Sequence, residues 1–434
     1  MVDTSSFRPI ATRFHANMGA LRVQSAQMSE SAEDYDKTKL SQLAQDIGRL
    51  TGSDSMENEQ ELLALIEDSD VEVEPLPDEA KIAELKALQD NALRDLTDLA
   101  QPDPEKVRQW LHLMNSFMKQ PPVRGRLLRR SALISLVSHF EFLLGDLLRA
   151  YTPSVRHIHN SPLAPTQPDD RESIFETADT EREHEIADVM RQGLKKRLKR
   201  LSMLLGVEFD LVIPNSFELK EIIARRNLLV HANGNVNKAY LEQVNNPQYF
   251  RENQISEGLY LNVTRDYLQR ATNIVQVTGL CIVQLCWRQW HKGEHNLADQ
   301  SVAEFVYDLL VDERYDSVVK LAKFAANLDM GEDARVRIVI NRAIALRDTG
   351  QRSLMQQLLI EESRDDKALV YESAKVPVKI ALRMLREEYD AVLHLLPITI
   401  AEGQIDRLAR RWPLFKPLWT NEKFIEAFAN PDPK

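Results

Sequence analysis

The residues best suited to chemistry sit in ARRNLLVHANG, residues 224–234, where Arg226, Asn227 and His231 interrupt an apolar segment that ends at Asn233-Gly234. Arginine presents a planar fork of donors that grips a phosphate through paired hydrogen bonds. Histidine titrates near neutral pH and can pass a proton without a metal. An asparagine beside them can orient the imidazole or hold a phosphate oxygen. These residue types suit RNA cleavage by attack of a 2′-hydroxyl on the adjacent phosphorus. A base takes the hydroxyl proton, an acid protonates the departing 5′-oxygen, and a cation holds the phosphate as its charge grows. One chain offers one such histidine, whereas two copies would offer both an acid and a base.

The sequence supplies an element to position them. Asn215 fits an N-cap, with Pro214 before it and Glu218 completing a capping box. Asn233-Gly234 supplies a left-handed stop, so a helix is expected over 216–232. At about 100° per residue, Leu219, Ile222, Ile223, Leu229 and Val230 form one apolar stripe with Arg226 in its middle. Asn227 and His231 share a neighbouring face. A charge within a packing face is costly unless it is paired or turned towards a ligand or partner. Two readings therefore stand: Arg226 pairs with a carboxylate such as Glu141, or it faces a phosphate. Arg225 is read as a surface or RNA-contact residue, and His231 either as a proton-transfer group or as a residue simply favoured at the helix C-terminus.

Upstream, RLLRRSALISLVSHFEFLLGDLLRAY places Leu133, Val137, Phe140, Leu144 and Leu147 on one face of a long helix, with Glu141 at its flank. A proline-rich loop is expected over 152–179. A second helix follows over EREHEIADVMRQGLKKRLKRLSMLLGV, the motif helix is third, and YLNVTRDYLQRATNIVQVTGLCIVQLCWRQW forms a fourth. A four-helix unit with arginine, a polar residue, a short spacer and histidine near the end of its third helix resembles the HEPN domain. The match rests on Arg226, Asn227 and His231, and on the opening helix with SALISLVSHFEFLLGDLL. It covers roughly residues 124–293. The resemblance implies a metal-independent endoribonuclease, active as a homodimer with two motif helices facing each other. It further implies settings such as toxin or antiviral-defence systems. Some relatives of that family are inactive and serve as nucleotide-binding or scaffolding modules.

Beyond residue 300, VDERYDSVVKLA (311–322), RDTGQRSLMQQLL (347–359) and REEYDAVLHLL (386–396) align, with Val318, Leu354 and Val392 at 36- and 38-residue spacing. Paired helices at such a period resemble tetratricopeptide-like repeats, which imply a protein partner on their surface. RRWPLFKPLWTNEKFIEAF reads as a closing cap.

Charge is unevenly spread. The chain of 434 residues carries a net charge of -11. Residues 1–100 hold 9 Lys and Arg against 21 Asp and Glu, while residues 121–240 hold 18 against 15. Global acidity therefore does not argue against RNA. The run Lys195, Lys196, Arg197, Lys199 and Arg200, with the arginines 124, 126, 129 and 130, is either a phosphate-tracking surface or a solvated helix face. The acidic arm is either solvating or a mask for a basic site.

Scarce glycine, abundant Leu, Ala, Glu and Gln, and few β-branched alternations favour an all-α chain. Three regions are expected: an acidic N-terminal helical region with linker (1–120), a HEPN-like four-helix bundle (121–295) and a helical-repeat region (296–434). Cys281 and Cys286 are expected as buried thiols. His157 and His159 lack carboxylate or cysteine partners at ligand spacing, so no metal is expected, and no GxxxxGK[ST] motif implies a nucleotide cofactor. The N-terminus lacks a signal-type apolar region, and no apolar run approaches a membrane span of roughly 20 residues, so a cytoplasmic protein is expected. Two functions compete: a regulated endoribonuclease, and a non-catalytic HEPN and helical-repeat scaffold that recruits a partner.

Overall fold

The computed structural model describes residues 7–51, 73–74, 104–119, 124–159, 184, 186–214, 216–363 and 375–429. These residues are overwhelmingly helical, as an all-α protein requires. The chain divides into two compact units, each assembled from separated segments. The first holds residues 1–12, 145–214 and 277–434, and the second holds residues 13–144 and 215–276.

The second unit contains most of helix α1 (Phe7–Thr51), α2 (Pro104–Lys119) and the first part of α3 (Arg124–His159). The chain later returns through the motif helix α5 (Ser216–Ala232), two short helices α6 (Lys238–Val244) and α7 (Pro247–Glu252), and the start of α8 (Arg265–Trp290). Leu133, Val137, Phe140 and Leu144 of α3 are buried, as their spacing predicts. By length and composition, Arg124–Tyr151 of α3 is long and apolar enough to cross a membrane, contrary to the expectation that no run would qualify, but 56% of that apolar window is buried within the protein, as in a core helix. The helix also runs to His159, eight residues past the expected end, and the side chains of His157 and His159 lie outside the described residues.

After α5 the backbone turns rather than continuing. Asn233 and Gly234 both take positive φ, 49° and 87°, and the Gly234 amide donates to the Leu228 carbonyl at 3.2 Å. A Cβ on Gly234 would lie 2.6 Å from the Tyr260 ring, so both conformation and space demand glycine here. The next residues pair with the segment before α8: Val236 N–H donates to Leu259 O at 2.8 Å, and Leu261 N–H to Gly234 O at 2.9 Å. Tyr260–Leu261, expected inside the fourth helix, is instead strand β2, antiparallel to β1 at Val73–Glu74. Ala224, Leu228, Val236, Tyr240, Val244, Ile255 and Leu261 close one core beneath this turn.

In the first unit, the expected second helix is broken. Gly193 is extended (φ −60°, ψ 152°), and a new helix α4 starts at Leu194 and ends at Leu205. Arg197 fastens the break, with Nε donating to Gln192 O at 2.8 Å and Nη2 to Met190 O.

The same unit contains α9 (His295–Val311), α10 (Tyr315–Ala326), α11 (Glu332–Asp348), α12 (Arg352–Glu362), α13 (Val376–Leu385) and α14 (Tyr389–Ala401). They form three antiparallel pairs whose turns are alike. Glu313, Gly350 and Glu387, each 37 residues apart, all adopt positive φ. In each turn the next amide bonds back across it: Arg314 N to Leu309 O, Gln351 N to Leu346 O and Glu388 N to Arg383 O, at 2.8–2.9 Å. The equivalent buried positions are Val318, Met355 and Val392. Leu354, aligned with Val318 by the sequence pattern, is one residue out of register and half exposed. Helix α15 (Glu422–Ala429) follows two 3₁₀ segments and packs on α14, with Phe415, Phe424 and Phe428 in mutual ring contact.

Candidate functional site

Two adjacent arginines on α5 have opposite fates. Arg225 is fully buried, which corrects its expected place at the surface. Its Nε donates to Glu221 Oε1 at 2.8 Å, one helical turn back. Its Nη1 donates to Asn262 O at 3.2 Å, its Nη2 to the Tyr249 hydroxyl at 3.3 Å, and its guanidinium lies 3.9 Å from the Tyr267 ring centroid. Glu221 also accepts the Tyr240 hydroxyl at 2.9 Å and the Tyr267 hydroxyl at 2.7 Å. Burial first, and then the neighbouring Glu221 carboxylate, push both phenols well above their ordinary range, against the Arg225 charge, which favours ionisation. A buried ion pair is tolerated here because nearly every donor and acceptor is engaged. RNA cannot reach Arg225.

Arg226 lies at the edge instead of within the packed stripe. The stripe is rotated by about one residue from the expected one: Glu221, Arg225 and Leu228 join Leu219, Ile222, Ile223 and Leu229 inside, while Val230 is 48% exposed. The Arg226 side chain is 17% exposed, and its Nη2 donates to Glu141 on α3, the partner its position on the helix wheel had suggested. Its Nε is buried with no hydrogen-bond partner among the described residues. Asn227 is half-buried and His231 is exposed. Four residues apart, they share a face about 6 Å long.

A second contact fixes the end of the motif helix. Arg130 Nη2 donates to Asn233 Oδ1 at 2.6 Å, and its guanidinium lies 5.9 Å from the Tyr260 ring centroid. Glu141–Arg226 and Arg130–Asn233 thus tie α3 and α5 together in antiparallel order, with Asn227 and His231 between the ties along α5. Asn215, the expected N-cap, lies outside the described residues.

The other arginines near the start of α3 also serve the fold. Arg129 is buried: Nε donates to Val263 O at 2.8 Å, and Nη1 to Ser29 Oγ at 3.3 Å and to Glu33. Arg126 is buried, and Arg124 stacks over the Tyr35 ring at 3.8 Å. The expected phosphate surface therefore does not include Arg126 or Arg129.

On α4, Lys195, Lys196, Lys199 and Arg200 are exposed. Arg197 is not part of that face, because it is buried, with Nε and Nη2 donating to the Gln192 and Met190 carbonyls. Cys281 and Cys286 are buried free thiols, and burial raises both well above the usual thiol range. Among the described residues, no group of three His, Cys, Asp or Glu is placed to hold a metal ion. Sequence patterns did not reveal the Glu221–Arg225–Tyr240–Tyr267 network. Its one local trace was the Glu–x–x–x–Arg spacing of an i,i+4 pair. Comparison with protein-family models, curated proteins and solved structures returned no match.

Proposed function

We propose that the protein is a metal-independent, HEPN-type endoribonuclease, with Arg226 as the phosphate clamp, His231 as the proton-transfer group and Asn227 as the residue that orients substrate or imidazole. The supporting observation is a division of labour on α5. Arg225 takes the structural charge of the core, while Arg226, Asn227 and His231 stand at or near the surface. The exposed His231 and the half-buried Asn227 are not among the residues that fill the core face of α5. Two copies meeting through this face would bring two histidines to one phosphate, one as base and one as acid. On the first unit, the exposed lysines of α4 form a face with sequence-independent attraction for RNA. Such an activity fits a regulated toxin or defence effector, with the 37-residue helix pairs offering a surface for a controlling protein.

The test is incubation of the purified chain with unstructured RNA in EDTA. Cleavage that persists and leaves 2′,3′-cyclic phosphate ends supports the proposal. Activity that needs added metal, or that leaves 5′-phosphates, refutes it. The competing reading is a non-catalytic scaffold, favoured by the Glu141–Arg226 pair, which already compensates the clamp's charge. It predicts no cleavage, with partner binding mapped to the helix pairs.

A further inference from the structure

The Arg226–Glu141 pair bears on which phosphate the site accepts. A guanidinium has five N–H donors spread over two edges and an end. In Arg226 the Nε hydrogen is buried without a partner among the described residues, so a ligand cannot reach that edge. One Nη2 hydrogen is committed to Glu141. What remains for a ligand is the outer end, formed by Nη1 and the second Nη2 hydrogen, on a side chain that is only 17% exposed.

An anion bound there shares the guanidinium with the Glu141 carboxylate. Two anions on one guanidinium sit roughly 5–6 Å apart and about 4 Å from the cation, so their repulsion offsets roughly two-thirds to three-quarters of the attraction each feels for it. The first ligand charge is therefore bound mostly by hydrogen bonds and geometry. A second charge on the same phosphorus adds repulsion from Glu141 and a larger desolvation cost. Arg130, about three helical turns from Glu141 on α3, is engaged by Asn233.

We propose that Glu141 is a specificity-determining residue: it makes the Arg226 site favour the singly charged phosphodiester inside an RNA strand over the doubly charged phosphate at an RNA end. The inference rests on the reading of Arg226 as a phosphate clamp. It explains why a clamp would keep a carboxylate in contact. An enzyme with this pair cuts within strands and is not trapped by terminal phosphates.

The experiment uses the full chain at about pH 8, where a phosphomonoester is a dianion and free imidazole is mostly neutral. 2′-Deoxyuridine 3′-phosphate and its 3′-methyl diester, which lack the attacking hydroxyl, compete for binding against a fluorescent 2′-deoxy-oligonucleotide. The two competitors differ in one charge at the same phosphorus. Wild type is expected to bind the diester at least as tightly as the monoester. Glu141→Gln keeps an acceptor oxygen for Arg226 but removes the charge, and should raise the monoester-to-diester affinity ratio on the order of 10-fold. Glu141→Asp keeps the charge and should hold the wild-type ratio even if it melts at a lower temperature.

An unchanged ratio in Glu141→Gln, with Arg226→Ala weakening both competitors, overturns the selectivity and leaves the clamp standing. A wild-type preference for the monoester overturns it too. If Arg226→Ala alters neither affinity, or neither compound competes with wild type, the clamp reading itself falls and the selectivity falls with it.

Discussion

Arg225 and Arg226 are neighbours in sequence, yet their removal should have very different consequences. Methionine at either position keeps an apolar stem of similar reach and deletes only the guanidinium. Arg225→Met leaves the Glu221 carboxylate buried and uncompensated, beside the Tyr240 and Tyr267 hydroxyls, and strands the Asn262 carbonyl. Removing one partner of a buried pair typically costs about 3–5 kcal/mol. Arg226→Met breaks a pair whose side chains are 17% and 23% exposed. That contact is half-buried, between the exposed and buried classes, and about 1–2 kcal/mol is expected. The difference between the variants should thus be about 1–4 kcal/mol. Urea unfolding followed by far-ultraviolet circular dichroism measures it, provided the denaturant slope is unchanged. Glu221→Leu combined with Arg225→Met should recover part of the loss, because no charge is then left buried. Equal losses, or a larger loss for Arg226→Met, would refute the assignment of structural and functional roles on α5.

Gly350→Ala meets no neighbouring atom among the described residues and should lose only the left-handed conformational allowance, about 1 kcal/mol. Gly234→Ala must also push the Tyr260 ring and should lose more, about 2–3 kcal/mol; denaturant midpoints give both values. The 37-residue register predicts that Met355→Ala costs about 2 kcal/mol or more, while Leu354→Ala costs well under 1 kcal/mol; the reverse order would restore the 36-residue alignment. Tyr240 and Tyr267 have folded pKa values raised above 10.0, so the neutral phenol is favoured in the native state. Their contribution to stability is intact below pH 10.0 and is lost as pH rises above it. Phenolate absorbance on alkaline titration should show these two tyrosines ionising only together with unfolding.

Regular features of the fold were legible because they repeat. Leu133, Val137, Phe140 and Leu144 recur at helical spacing, and Asn233-Gly234 is a local stop signal that needs no tertiary knowledge. Glu141 was legible as a partner because it flanks a stripe that must meet the motif helix. The rotation of α5 was not legible. Val230 looks as apolar as Leu229, and Arg226 looks no more exposed than Arg225. The choice is made by Tyr240, Tyr249, Asn262 and Tyr267, which lie 15–42 residues further on and supply the partners that let Arg225 enter the core. The helix break at Gly193 has a similar origin, since Arg197 caps it from within a run that reads as a simple basic face. In the helix pairs, the one-residue slip at Leu354 arose from matching apolar residues when the invariant feature is the left-handed turn residue.

The central claim is that His231 transfers protons during RNA cleavage. It is tested most directly by comparing initial cleavage rates of one RNA by wild type and His231→Ala at equal concentrations of folded protein. The imidazole is exposed and in the last turn of α5, so its removal should change stability by less than about 1 kcal/mol. A proton-transfer role predicts a metal-independent wild-type rate and a loss of about 10²–10⁴-fold in the variant. A variant that cleaves at the wild-type rate, or a wild-type protein that leaves the RNA intact, would contradict it.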